Sequence, residues 1–407
     1  MKFFCSGFAI FLCTIAAGES LPAKVTLEDA KKYAVSNNLE VQGLRSALEE
    51  ARAQVTGARS GFYPRLGVAG GADYQVSADA SVGAPVGYAY GNWNLFRGFG
   101  DTYRMQLADI EVDKAERKLK QTEFRIGLEV EEQFFSYLFR KFSIELREKA
   151  LKENQKHQKQ AQQRRAGGLA SDSDVMEFDL RDSFLRSELA ELALDLESSR
   201  VNLRRLLGEK IGEKIEPTGT LLHYKVKGSL GDYLKLIATE NESVTEASRQ
   251  LAQANVEEKL ARSMWFPEVD VETQVGYLRI MDRPNATSTT AGGAAFRGLV
   301  VAKMNIFEGF ETSARQGAAA AKKLRSEAML KQTILDAVSK AEIGFRTLKA
   351  IEAQVDLEEL NSDRAERYYK SVIKEYQRGQ KNSSDVKNAS EQMFQAQVRH
   401  EGHKNEY

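Results

Sequence analysis

Residues 94–104 read NLFRGFGDTYR, and residues 305–315 read NIFEGFETSAR. Asn, Phe, Gly, Phe and Arg fall at the same places in both, at an offset of 211 (Asn305 over Asn94). Downstream the offset persists to Gly168 over Gly379 and Ser173-Asp174-Val175 over Ser384-Asp385-Val386. Upstream, residues 26–74 lie over 229–277 without a gap at an offset of 203 (Leu230 over Leu27), pairing Asn38 with Asn241, Ala58-Arg59-Ser60 with Ala261-Arg262-Ser263, and Pro64 with Pro267. The eight-residue difference between the offsets 211 and 203 is a longer loop in the second copy, around residues 281–293. The chain is therefore a tandem duplication, and the quoted stretch is one joint used twice.

Each copy opens with helix-forming sequence, about residues 27–61 and 230–264, and a proline then ends it because proline cannot donate the helical hydrogen bond. The period changes there. Val269, Val271, Thr273, Val275 and Tyr277 alternate with Glu268, Asp270, Glu272 and Gln274; the first copy alternates Leu66, Val68, Gly70, Ala72 and Tyr74 with Arg65, Gly67, Ala69, Gly71 and Asp73. Period two over about ten residues spells a strand with one apolar and one polar face. A second strand is expected in each copy, near residues 86–96 and 296–307. Its faces stay unassigned, because Tyr88 and Tyr90 compete with Trp93 and Leu95.

Past the joint the helical pattern returns. Residues 101–165 contain no proline, and roughly 65 residues at about 1.5 Å each make a helix on the order of 100 Å. Val130, Tyr137, Ile144 and Leu151 are spaced by sevens, and Ala341, Leu348 and Val355 hold the same phase in the second copy, the spacing of a coiled-coil seam. Leu185, Leu189, Leu192, Leu196 and Leu203 mark the returning helix over 174–207. Between the rods sit AGGLASDSDV and QRGQKNSSDV, each with Gly for the stop and Ser with Asp for the next cap. The expected division is a signal segment over 1–18, a first repeat over 19–207 (helix, two strands, two long helices), a linker over 208–228 and a second repeat over 229–407.

Composition agrees. Of 407 residues, 42% are apolar and 29% charged, and only 6 are proline, which favours long helices. Lys and Arg balance Asp and Glu at 58 each, which argues against a nucleic-acid binder. The first residues, MKFFCSGFAIFLCTIAAGES, carry a Lys, a short apolar run and small residues at Ala16, Ala17 and Gly18, the build of a secretory signal. Cys5 and Cys13 both lie in it, so the mature chain is expected to have no thiol, disulfide or thiolate metal site. Catalysis finds little support: GFG at Gly98 lacks the third glycine of a dinucleotide loop, and no phosphate-binding GxxxxGK[ST] occurs. His400 and His403 in HEGH read as a solvated face rather than a metal site. No cofactor is expected.

Four strands, each with a lipid-ready face, fit a membrane barrel, or a soluble two-stranded ribbon with one wet face. The strands alone leave both open, and the signal segment and rods tilt the reading to a barrel. A closed barrel needs about 8 strands, so copies must share it. The polar faces, with Asp73, Glu268, Asp270 and Glu272, would then line an aqueous lumen. The competing classes are a soluble periplasmic coiled-coil adaptor and a structural coiled-coil protein.

Over residues 27–407 the sequence resembles the TolC-like outer membrane channel family. The resemblance rests on the tandem repeat, the Ala-Arg-Ser-x-x-x-Pro passages at Ala58 and Ala261, the Phe-x-Gly-Phe joints leading to Arg104 and Arg315, and the Gly-containing turns before Asp-Val. It implies a mainly α fold with β: long coiled-coil hairpins plus four strands per chain in a homotrimeric 12-stranded barrel. The location implied is the outer membrane of a Gram-negative bacterium, in contact with its lipid and with a large periplasmic part. The implied partners are a periplasmic adaptor and an inner-membrane pump, in efflux or type I secretion. Phe96, Gly98, Phe307 and Gly309 are expected where strand meets rod. Gly168, Leu169 and Asp174, with Gly379, are expected at the periplasmic tip, and the resemblance carries a gate onto Tyr376, Lys381 and Asp385. The chain departs from the family prototype with Lys381 in place of Arg and Asn388 in place of a second acid. Lysine lacks the planar fork for bidentate hydrogen bonds, so a looser latch is expected.

Overall fold

A computed structural model describes residues 24–76, 81–208, 215–221, 225–278 and 293–407. The signal segment, most of the longer second-copy loop, parts of the expected linker, and the side chain of Asp73 lie outside the described residues.

The first copy runs β1 (Lys24–Val25), α1 (Leu27–Asn37), α2 (Leu39–Arg59), β2 (Arg65–Val76), β3 (Ser81–Arg97), α3 (Gly100–Ala166) and α4 (Asp172–Leu207). The strand β4 (Glu216–Pro217) follows. The second copy then gives α5 (Leu230–Glu240), α6 (Glu242–Ser263), β5 (Glu268–Leu278), β6 (Gly293–Lys303), α7 (Glu311–Gln377) and α8 (Ser383–Glu406).

Where one helix was expected over 27–61, and again over 230–264, two stand in each copy, broken at an asparagine. Asn38 has φ −64° and ψ 130°, and its side-chain amide donates to the Leu206 carbonyl at 3.2 Å. Asn241 has φ −68° and ψ 125°, and its side-chain oxygen accepts the Val244 N–H at 3.2 Å. A short amide that can satisfy helix-end groups makes the break affordable at both places, and helix propensity does not register it.

The chain packs as two units, each drawing on both copies. The first, within residues 40–123 and 225–350, holds α2, α5, α6, the opening parts of α3 and α7, and an antiparallel sheet in the order β2-β3-β5-β6. Paired residues share a face of such a sheet. The row Val68, Ala89, Val275, Phe296 is therefore on one face, and the row Gly67, Tyr90, Gln274, Arg297 on the other. A bulge between Asn94 and Phe96 leaves Leu95 unpaired and shifts the register.

The second unit, from the described parts of 1–39, 124–224 and 351–407, holds α1, α4, α8, the closing parts of α3 and α7, and the parallel pair β1–β4. Its core joins Leu146, Ala150 and Ala161 of α3 to Phe178 and Leu185 of α4, Val372 and Tyr376 of α7, and Val386 and Phe394 of α8. Truncating either phenylalanine to alanine would cost about 3–5 kcal/mol. Along α3 the buried stripe takes Ile126, Val130, Phe134 and Tyr137, then restarts at Ser143, Leu146, Ala150, Asn154, His157 and Ala161. Ile144 and Leu151, expected on the seam, sit half-buried at its flank. A straight helix drifts by about 20° per heptad against a strict seven-residue repeat, so the stripe has moved round by that point.

Candidate functional site

The α3–α4 and α7–α8 turns close with the same device. The Leu169 N–H reaches the Arg164 carbonyl at 2.8 Å and the Gly168 N–H the Arg165 carbonyl at 2.9 Å. The Gln380 N–H reaches Glu375 at 2.9 Å and the Gly379 N–H reaches Tyr376 at 3.0 Å. This is a Schellman ending, whose left-handed residue favours glycine: φ is 74° at Gly168 and 80° at Gly379. Leu169 stands exposed on its turn.

Each following helix starts with a capping box. Asp174 Oδ2 accepts the Ser171 N–H at 2.9 Å, and Asp385 Oδ2 accepts the Asn382 N–H at 3.2 Å. Asp174 also ties α4 to α8: its Oδ1 lies 2.5 Å from the buried Ser383 hydroxyl, which is 2.9 Å from Glu177 Oε2. One hydroxyl proton serves only one of these carboxylates; Lys387 Nζ neutralises Glu177 at 2.7 Å. The Ser383 hydrogen bond, followed by those from Ser171, holds the Asp174 carboxyl down at about 2.

Of the expected trio Tyr376, Lys381 and Asp385, the fold brings two together. Lys381 Nζ lies 4.0 Å from Asp385 Oδ1, with side chains 38% and 39% exposed. Tyr376 is buried and belongs instead to Arg164, whose Nη1 donates to the Tyr376 carbonyl at 2.7 Å while its guanidinium carbon sits 4.8 Å from the ring centroid. The Tyr376 hydroxyl is buried without a hydrogen-bond partner among the described residues, and burial pushes its pKa up. Arg164, Glu177 and Ser383 had no motif to single them out, because they meet only through packing of helices more than two hundred residues apart.

On the sheet, the polar face carries cations as well as acids. Glu268 lies 3.4 Å from Arg97, Asp270 accepts from the Asn94 amide at 2.7 Å, and Glu272 lies 3.9 Å from Lys303. Arg65 shares a row with Asn92 and Glu272, and Arg297 a row with Gln274. At Asp73 the backbone pairs with Ala84. The opposite face is apolar and open: Leu66 is 83%, Val68 85%, Phe296 73% and Val300 67% exposed. Tyr88 and Tyr90 take the polar face and Trp93 the apolar one, alongside Val271 and Val300.

At the joints the backbone makes two successive left-handed residues. They are Gly98 (φ 55°) with Phe99 (φ 65°), and Gly309 (φ 60°) with Phe310 (φ 68°). Phe96 packs edge-on to Phe99 at 5.3 Å between centroids, and Phe307 to Phe310 at 5.5 Å. Both joints line one cavity of about 590 Å³, with Arg97 and Arg104 from the first, Asn305 and Arg315 from the second, and Met264 and Phe266 between them. Its cations are already paired: Arg104 with Asp101 at 2.7 Å, and Arg315 with Glu311.

A sheet with one open apolar face, carried on long paired helices, is the build of a membrane channel subunit. Solved structures share the fold. The outer membrane protein VceC of Vibrio cholerae superposes with a TM-score of 0.78 at 17% identity, over 93% of this chain and 92% of that one. The CmeC outer membrane channel of Campylobacter jejuni gives 0.79 at 13% identity, over 94% and 83%. CusC, whose structures concern folding and transmembrane channel formation, gives 0.79 at 15% identity, over 93% and 89%. A comparison with curated proteins returned no match. The family model for outer membrane efflux proteins matches residues 32–209 and 234–407, one segment in each repeat, and the chain belongs to that family. It is a TolC-like efflux channel protein of the Gram-negative outer membrane with a large periplasmic helical part, in a family of channels rather than enzymes.

Proposed function

We propose that three copies of this chain close one 12-stranded barrel and form the exit duct of a tripartite efflux or type I secretion assembly. The observation that carries this is the sheet: one face apolar and exposed, with β2 and β6 as edges that have no strand partner among the described residues. In lipid every backbone N–H and C=O must be paired, so such a sheet has to close on itself. Four strands fall short of the roughly 8 that close a barrel, so the missing pairs come from other copies. Each repeat, 19–207 and 229–407, supplies two strands and one helical hairpin. The polar face then lines the lumen, and its mixture of Glu268, Asp270 and Glu272 with Arg65, Arg97 and Lys303 predicts weak ion selectivity.

In this reading the α3–α4 and α7–α8 turns form the periplasmic gate, where an adaptor and an inner-membrane pump dock. Lys381 and Asp385 supply a loose exposed latch. Heat-resistant oligomers from outer-membrane fractions and single-channel conductance in a planar bilayer test it together. Lys381→Glu places like charges beside Asp385, and the expected result is a larger conductance from otherwise intact trimers. Well-folded protein that neither oligomerises nor inserts would return the chain to the soluble coiled-coil class.

A further inference from the structure

The seam between α3 and α7 has two polar rungs one heptad apart, each joining residues 212 positions apart in sequence. One is Arg164 on the Tyr376 carbonyl. In the other, His157 Nε2 lies 2.9 Å from the Tyr369 hydroxyl, and His157 is only 5% exposed. Its Nδ1 is 3.4 Å from Gln160 Oε1, and its ring lies 6.1 Å from that of Phe178 on α4. The Glu153 carboxylate is 3.9 Å from Nε2 and 3.5 Å from the Tyr369 hydroxyl.

Other charges face this group from each packed helix. Arg181 of α4 and Lys387 of α8 line the same small cavity, held by Glu391 and Glu177 respectively, and Lys156 adjoins it on α3. In the neutral form the Tyr369 O–H donates to Nε2, and the Nδ1–H donates to Gln160. Protonation puts hydrogen on both ring nitrogens. The Tyr369 oxygen must then accept, its own proton must turn toward Glu153, and a new cation sits in a packed interior that already holds Arg181. Burial, the largest influence, pushes His157 below the ordinary histidine value, against the smaller opposing effects of Gln160 and Glu153.

We propose that the His157–Tyr369 rung is an acid-sensitive lock on the α3–α7 seam, and that its release lowers the cost of parting the α3–α4 turn from the α7–α8 turn. The closed seam favours neutral His157, so its stabilisation is complete above the ordinary histidine value of about 6.5 and is lost as pH falls below it. Each chain takes up one proton here, so the parted-to-closed ratio changes by at most about tenfold per pH unit per chain. The lock stands on these contacts alone; its effect on transport rests on the duct reading.

The test is thiol accessibility at Ala161, which is fully buried on the same stripe between the two rungs. The full-length protein carrying Ala161→Cys is alkylated at pH 7.5 and 5.5, with and without His157→Gln, and the chain lacking Ala161→Cys sets the background. The labelling rate with His157 divided by that with His157→Gln cancels the thiol's own pH dependence. The expected result is a severalfold rise in that ratio at pH 5.5; the same ratio at both pH values overturns the lock. Should the double variant not fold, Glu153→Gln serves instead. Removing that carboxylate pushes His157 of the closed seam further down, so the rise is expected to begin at the same pH and to be larger at pH 5.5, and an unchanged profile overturns the proposal. Neither readout requires a barrel, so failure of the duct reading would show separately in the conductance.

Discussion

Arg164 holds Tyr376 in two ways, by a 2.7 Å hydrogen bond to its carbonyl and by a guanidinium 4.8 Å from its ring centroid. The carbonyl belongs to the last turn of α7 and also accepts the Gly379 N–H at 3.0 Å. Arg164→Ala is expected to cost about 2 kcal/mol, read as a lower unfolding midpoint. Tyr376→Phe is expected to leave that midpoint within about 0.5 kcal/mol, because it removes a hydroxyl with no hydrogen-bond partner among the described residues. A clear fall of the midpoint would show that the buried hydroxyl has a partner after all.

Ser383 is the main reason Asp174 titrates so low. A depressed carboxylate contributes stability that is complete above its unfolded value, about 3.9, and is lost as pH falls through the folded value, here about 2. Ser383→Ala is expected to raise the Asp174 pKa and move this loss up toward pH 4. Unfolding midpoints measured from pH 5 to 2 should show the variant below the parent chain at pH 5 and the two curves drawing together as the pH falls; coincident curves throughout would remove Ser383 from the account.

The two joints look alike in sequence and differ in surroundings. A methyl added at Gly98 would lie 2.4 Å from the Ser263 carbonyl oxygen and 2.7 Å from Phe266 Cβ, whereas at Gly309 it would meet nothing within 4 Å. Both positions are left-handed, so either alanine costs about 1–2 kcal/mol in backbone strain. Gly98→Ala adds about 1–3 kcal/mol of overpacking. The expected order of thermal midpoints is parent, Gly309→Ala, then Gly98→Ala, and equal losses would contradict it.

Neighbouring positions on β5 should respond oppositely to charge. Val275 lies on the apolar face and Gln274 on the polar one. Val275→Arg is expected to cost about 2–4 kcal/mol if that face meets the bilayer middle, seen as a fall in outer-membrane yield, while Gln274→Arg is expected to be tolerated. Equal tolerance at both positions would speak for the soluble ribbon.

The duplicated order of elements and the rod boundaries were legible in the sequence because they follow from proline, glycine and periodicity, which act locally; the second strands were placed less well, since β3 already begins at Ser81 and β6 ends at Lys303. The faces of β3 were not legible, because aromatics stand on both: Tyr88 and Tyr90 take the polar face and Trp93, in unbroken alternation with them, the apolar one, while the bulge removes Leu95 from the count. The breaks at Asn38 and Asn241 escaped notice because one asparagine barely alters a helical window. The polar contacts at the turns, Arg164 with Tyr376 and Ser383 with Asp174, depend on which helices pack together, and no local pattern encodes that.

The equal spacing of the α3–α7 rungs has an evolutionary side. Partners 212 residues apart, in copies offset by 211, mean that near the turns each rod meets its own counterpart almost position for position. A single-copy ancestor would have had to form that seam between separate molecules. Fusion turned the encounter into an intramolecular one, with a millimolar effective concentration whatever the level of expression. The two rods were then free to diverge, and the seam could acquire partners as unlike as a histidine and a tyrosine.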